Sequence, residues 1–104
     1  MGRWRKVINH LLTDLATETP SVADFRVNID QKIWGAEQIV SETVPIRLNE
    51  LPLGRIHEFQ RDLINALSVQ LKRDPANEIW IVARSLLENP WLRMPEHRRP
   101  DLIR

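Results

Sequence analysis

Leu53–Asn89 reads LGRIHEFQRDLINALSVQLKRDPANEIWIVARSLLEN, and this stretch decides the fold. Apolar residues in its first half recur at steps of three and four, which places them on one face of a helix. They are Leu53, Ile56, Phe59, Leu63, Ile64, Leu67 and Leu71. The opposite face, predicted to be exposed to solvent, carries Arg55, Glu58, Arg61, Asp62 and Lys72. The first half therefore predicts an amphipathic helix over about 53–73.

A corner at Asp74-Pro75 separates this helix from a second one. Proline lacks an amide hydrogen and disfavours helix at the residue before it, so the first helix should end near Arg73. Asp74 is predicted to cap the second helix, with Pro75 at its first position. That helix covers about 75–88, and Asn89-Pro90 ends it. So short a connection predicts an antiparallel pair of helices in contact.

A further amphipathic helix is predicted over 3–17, before the first proline-containing segment. Its apolar face carries Trp4, Val7, Ile8, Leu11, Leu12 and Leu15. A helix of this length is marginal by itself, so its apolar face must pack on other elements. The fold class that follows is mainly α, a small helical bundle built on the antiparallel pair.

The segment 21–48 allows two interpretations. As a helix it would begin at Ser21, with Asp24 three residues later in a capping-box pattern. As a β-hairpin, two alternating runs would pair across a turn at Gly35-Ala36. Those runs are Phe25-Val27-Ile29 and Val44-Ile46-Leu48. The polar-rich centre, 30–42, favours the helix, and an α+β fold with a hairpin in 24–48 is the alternative.

Length and composition set bounds on the class of protein. The 104 residues suit one domain, predicted to be globular over 1–94 with an irregular basic tail over 95–104. There is no cysteine, which excludes disulfides and thiolate chemistry and fits a cytoplasmic location. No apolar run approaches the ~20 residues of a membrane span. A net charge of +1 offers no bulk attraction to nucleic acid.

Signatures of catalysis and of metal binding are missing from the sequence. The histidines, His10, His57 and His97, lack the spacing at which two ligands share a helix face. The serines have no glycine-flanked context, and the three glycines are isolated, so no nucleophile elbow or phosphate loop occurs. We therefore expect no enzyme activity, no cofactor and no metal site.

Tryptophan and arginine point instead to a protein partner. Four tryptophans accompany no tyrosine, and Trp34 and Trp91 fall on no evident core face. Both residue types are enriched among interface residues that carry binding energy. The predicted partner-binding residues are Trp34, Trp91, Leu92, Arg93 and Met94. The favoured function is a non-catalytic protein–protein interaction module, acting in oligomerisation or as an adaptor or regulatory subunit.

Nucleic-acid binding is the alternative function. The two termini are basic, and cations gathered on one surface would contact phosphates without reading sequence. The candidate contacts are Arg3, Arg5, Lys6, Arg98, Arg99 and Arg104.

Overall fold

The computed structural model describes residues 2–21 and 23–94, without the side chain at 21. The helices are α1 (Arg5–Thr17), α2 (Phe25–Thr43), α3 (Pro52–Arg73) and α4 (Glu78–Glu88). Short 3-10 turns cover Gly2–Trp4, Thr19–Ser21 and Pro90–Leu92. No strand occurs in these described ranges, and the predicted helical bundle is confirmed. The basic tail predicted over 95–104 lies outside them.

The segment that allowed a hairpin is the helix α2, so the alternative α+β fold is wrong. Gly35 lies inside α2 and forms no turn. The helix begins at Phe25 and not at Ser21, because Asp24 is itself the cap and accepts a long hydrogen bond of 3.5 Å from the Val27 amide. Helix-breaking prolines flank the segment at Pro20 and Pro45, and none interrupts it.

The helix α2 contacts each of the other three helices, and α3 and α4 also pack against each other. The core is one cluster of buried apolar side chains drawn from all four helices and Trp4. It comprises Trp4, Ile8, Leu11, Leu15, Ile29, Ile33, Ala36, Val40, Phe59, Leu63, Leu67, Ile79, Trp80, Ala83, Leu86 and Leu87. The predicted α3–α4 pair is therefore present, but α2 is the element that joins the pair to α1.

The corner between α3 and α4 has a different construction from the predicted one. Asp74 closes α3, and its carbonyl oxygen accepts from the Asn77 amide at 3.2 Å. Asn77, not Asp74, caps α4 by accepting from the Ile79 amide at 3.0 Å. The helix therefore begins at Glu78 instead of Pro75. Pro75 and Ala76 are used in the reverse turn that the Asp74–Asn77 hydrogen bond closes.

Two residues of α3 were assigned to the wrong environment by helical spacing alone. Leu53, predicted for the core face, is 66% exposed, because the first turn of α3 extends beyond the closed core. Arg55, predicted for the solvent-exposed face, is only 5% exposed, because its guanidinium turns back onto the end of α2. Elsewhere the predicted stripe holds, since Phe59, Leu63 and Leu67 are fully buried.

None of the described helices is long and apolar enough to cross a lipid bilayer.

Candidate functional site

A buried group of charged side chains joins α2, α3 and the segment after α4. We call Asp30, Glu37 and Arg93 the ion cluster. Arg93 donates from Nε to Asp30 Oδ1 at 2.9 Å and from Nη1 to Glu37 Oε2 at 2.8 Å. Gln60 Nε2 donates to the same Glu37 oxygen at 2.6 Å, and the Met94 amide donates to Asp30 Oδ2 at 3.3 Å. The cluster thereby ties the C-terminal segment to the middle of α2.

The positions of these charges follow from the helix repeat. Asp30 and Glu37 lie about two turns apart on α2 and so share the face that packs inward. Burial opposes the charge on Arg93, but hydrogen bonds and attraction from Glu37 and Asp30 outweigh it and raise the pKa of Arg93. The guanidinium therefore remains a cation in this buried setting.

A groove of about 330 Å³ opens beside the ion cluster, and we call it the Trp34 groove. It lies between α2, α3 and the end of α4. Its walls are Trp34, Glu37, Gln38, Ser41, Leu53, Ile56, Gln60, Leu86, Leu87, Pro90 and Arg93. Six of these eleven side chains are apolar and five are polar or charged, and sites for ligands and partners also combine apolar walls with polar groups.

The connection from α2 to α3, Val44–Leu51, carries apolar side chains into solvent, and we call it the apolar loop. Leu48 is 92% exposed, Leu51 74% and Ile46 49%. Leu53 follows directly and lines the Trp34 groove. Asn49 sits in the left-handed region with φ 65°, which asparagine tolerates better than most residues. Leu53 therefore connects the end of the loop to the groove.

Arg3, near the start of the chain, binds the apolar loop. Its guanidinium donates to both Glu50 oxygens, at 2.5 and 2.6 Å, and to the Pro45 carbonyl at 2.8 Å. The Arg3 hydrogen bond is the main reason that the pKa of Glu50 falls to about 2. The guanidinium also lies over the Trp4 ring, 4.9 Å from its centroid.

Arg55, from within α3, holds the end of the loop that leaves α2. Its Nη2 donates to the Ser41 carbonyl at 2.9 Å, and its Nη1 donates to the Val44 carbonyl. These carbonyls belong to the end of α2, where the helix itself supplies no donor. Two arginines, Arg3 before α1 and Arg55 in α3, therefore bind a loop whose leucines stay exposed.

The structure brings two of the predicted partner-binding residues together, since Trp34 and Arg93 both line the Trp34 groove. Trp34 is half-buried and lines the groove, and Trp91 is 73% exposed next to Pro90. Arg93 is only 5% exposed and is held in the ion cluster. Leu92 and Met94 line a separate, smaller cavity with Arg26 and Leu86.

Three of the six predicted nucleic-acid contacts lie in the described part of the chain. Arg3 is engaged with Glu50, whereas Arg5 and Lys6 are exposed on α1. Arg98, Arg99 and Arg104 lie outside the described residues.

Sequence reasoning missed two features of the site. Glu37 and Gln60 were not singled out, although a carboxylate seven residues after Asp30 on an otherwise apolar helix face was a usable signal. Leu48 and Leu51 were passed over because a loop sequence has no periodicity that separates exposed from buried leucines.

Other chemistry-bearing residues form no cluster in the described ranges. No group of three or more histidine or acidic side chains there could hold a metal ion. His57 is exposed and is not part of the Trp34 groove. No family model, curated protein or solved structure matches this chain.

Proposed function

We propose that this protein is a non-catalytic protein–protein interaction module that binds through the apolar loop and the Trp34 groove. The observation that carries the proposal is the exposure of Leu48, Leu51 and Leu53, the last of which lines the Trp34 groove. Contiguous apolar surface on a small domain is typical of interaction sites. A cytoplasmic role in oligomerisation, or as an adaptor or regulatory subunit, fits this surface.

The anchoring of the apolar loop favours binding over simple solvation. Association costs the conformational entropy of every segment that becomes ordered in the complex. Arg3 and Arg55 already hold the loop at both ends, so a partner would meet a preorganised surface. Exposed leucines do not stabilise the isolated domain. A partner that covers them removes apolar surface from water, which favours association.

The test compares two double variants, each of which replaces two exposed apolar side chains by serine. Leu48→Ser with Leu51→Ser alters the proposed surface, and Val69→Ser with Ile81→Ser alters exposed positions on α3 and α4. Both proteins should keep the helical circular-dichroism spectrum of the parent. Association is measured as solution mass and as partner recovery in quantitative cross-linking from cells.

We expect the loop variant to lose association and the control to retain it. Equal behaviour of the two variants would overturn the proposal, as would a parent that is strictly monomeric and cross-links to no protein.

A further inference from the structure

We propose that a groove between α1 and α2 binds a fatty acid, with the carboxylate between Lys6 and His10 and the aliphatic chain over Gly35. We call it the Gly35 groove. Its volume is about 330 Å³, and its lining comprises Lys6, Val7, His10, Leu11, Asp14, Lys32, Gly35, Ala36 and Ile39. It shares no residue with the apolar loop or the Trp34 groove, so this inference goes beyond the proposed function and does not depend on it.

The floor of the Gly35 groove is apolar. Val7 and Leu11 lie on the α1 side, and Ala36 and Ile39 lie on the α2 side. Leu11 and Ala36 are buried beneath the groove, whereas Ile39 is 48% exposed beside it. An aliphatic chain laid along this floor would remove apolar surface from water, which favours binding.

Gly35 leaves the middle of the groove open. A Cβ atom placed on this residue would meet nothing within 4 Å beyond its own stretch of helix, so the packing of the fold does not require a glycine there. Glycine destabilises a helix interior relative to alanine, and inside a helix it can mark a place where another group approaches the backbone. The space above Gly35 suits a narrow ligand such as an alkyl chain.

The cations at the groove favour a carboxylate as the head group. Lys6 and His10 are exposed and lie one turn apart on α1, so both can donate to a carboxylate between them. The other lysine of the groove, Lys32, is already paired with Glu18. Lys6 forms no ion pair with any residue of 2–21 or 23–94, which leaves its ammonium group available to an anion.

Asp14 sets the direction and the length of the ligand. It lines the groove about two turns of α1 beyond Lys6. The helix rises about 12 Å between these two residues, which is the length of an extended chain of about ten carbons. The Asp14 carboxylate disfavours a second anion at its end of the groove. The groove therefore suits a monocarboxylate with its head group at Lys6.

The experiment titrates the full chain with decanoate, kept below the concentration at which it forms micelles, and follows the backbone amides by NMR. Decanol and decylamine carry the same chain on a neutral and a cationic head group. Gly35→Leu fills the groove, and Gly54→Leu is its control, because Gly54 is a helical glycine with equally open surroundings. Lys6→Gln removes the proposed cation, and Lys72→Gln, an exposed lysine on α3, is its control. Urea unfolding of each variant checks that the fold is kept.

We expect decanoate to shift the amide resonances that surround the Gly35 groove, with a dissociation constant of about 1 mM or lower. Decanol should bind the parent about fivefold more weakly, and decanoate should bind Lys6→Gln more weakly to the same extent, because each pair lacks the ion pair. Gly35→Leu should lose the shifts, whereas Gly54→Leu and Lys72→Gln should keep them.

Decanoate that leaves the groove resonances unchanged would overturn the inference, and so would decylamine that binds as tightly as decanoate. Equal binding to Gly35→Leu and Gly54→Leu would place the chain elsewhere. Groove resonances that move with protein concentration alone would assign the groove to a second copy of the chain and would also overturn it. None of these results depends on Leu48 or Leu51, so the proposed function can stand where this inference fails.

Discussion

Arg93 Nε and Asp30 Oδ1 lie 2.9 Å apart, although their residues are separated by 63 positions in the chain. This ion pair, with its companion to Glu37, fastens the segment after α4 to the middle of α2. The contact closes one wall of the Trp34 groove, since Glu37 and Arg93 both line it. The stability of the fold and the shape of the candidate site therefore depend on the same guanidinium.

Replacing Arg93 with alanine should lower the free energy of unfolding by about 3–5 kcal/mol, because the buried Asp30 and Glu37 carboxylates lose an ion-pair partner. The measurement is urea unfolding followed by circular dichroism. Arg84→Ala is the control, since Arg84 pairs with Glu88 at a half-exposed i,i+4 site and should cost at most about 0.5 kcal/mol. Similar losses for the two variants would show that the ion cluster contributes no more than a surface pair.

Glu50 should make the stability sensitive to acid. Its pKa falls from 4.5 to about 2 in the folded protein, chiefly through the hydrogen bond from Arg3. A group with a lowered folded pKa stabilises the fold fully above its unfolded pKa and loses that effect as the pH falls through the folded value. The contribution of Glu50 should therefore disappear between about pH 4.5 and pH 2.

The measurement is the pH dependence of urea unfolding for the parent and for Glu50→Gln. The parent should be the more stable at neutral pH, and the difference should shrink through the acid range. A difference between the two proteins that does not change from pH 7 to pH 2 would contradict the assigned ion pair.

Leu53 and Leu63 offer a comparison between two leucines on one predicted stripe. Leu63→Ala should cost about 2–5 kcal/mol, because it leaves a cavity in a closed core. Leu53→Ala should cost less than about 0.5 kcal/mol, because its side chain is 66% exposed. Thermal and urea unfolding of both variants check the expectation, and a large loss for Leu53→Ala would place that residue in the core after all.

The sequence predicts most of the fold because helical spacing reports which face is buried. The apolar positions of α1 and the central part of α3 are buried as predicted, except that Val7, Leu12 and Ile64 are only partly buried. Spacing was less informative for α2, whose inward face also carries Asp30 and Glu37. Those charges become compatible with burial only when Arg93 is added, and no local pattern links residues so distant in the chain.

The ends of helices were harder to place than their faces. Asp74 and Asn77 are both good capping residues, and only the turn at Pro75 decides which of them begins α4. The candidate site was predicted only in part, through Trp34 and Arg93, which line the groove. The exposed leucines of the apolar loop could not be predicted, because their position depends on tertiary contacts with Arg3 and Arg55.

Arg55 is one of the two arginines that hold the apolar loop. Replacing it with methionine should lower the free energy of unfolding by about 1–3 kcal/mol. Methionine can replace the apolar stem of the arginine, but the carbonyls of Ser41 and Val44 would lose the guanidinium that donates to them. Arg61→Met on the same helix is the control, since Arg61 is exposed. Urea unfolding gives the energies, and amide hydrogen exchange over 44–51 reports whether the loop is released.

We expect faster exchange in the apolar loop of Arg55→Met than in Arg61→Met, with weaker association as a further result. Release of the loop would restore the entropy cost that binding otherwise avoids. Unchanged exchange across 44–51 in Arg55→Met would mean that Arg3 and Glu50 hold the loop without help from α3. In that case the preorganisation of the binding surface would depend on the N-terminal anchor alone.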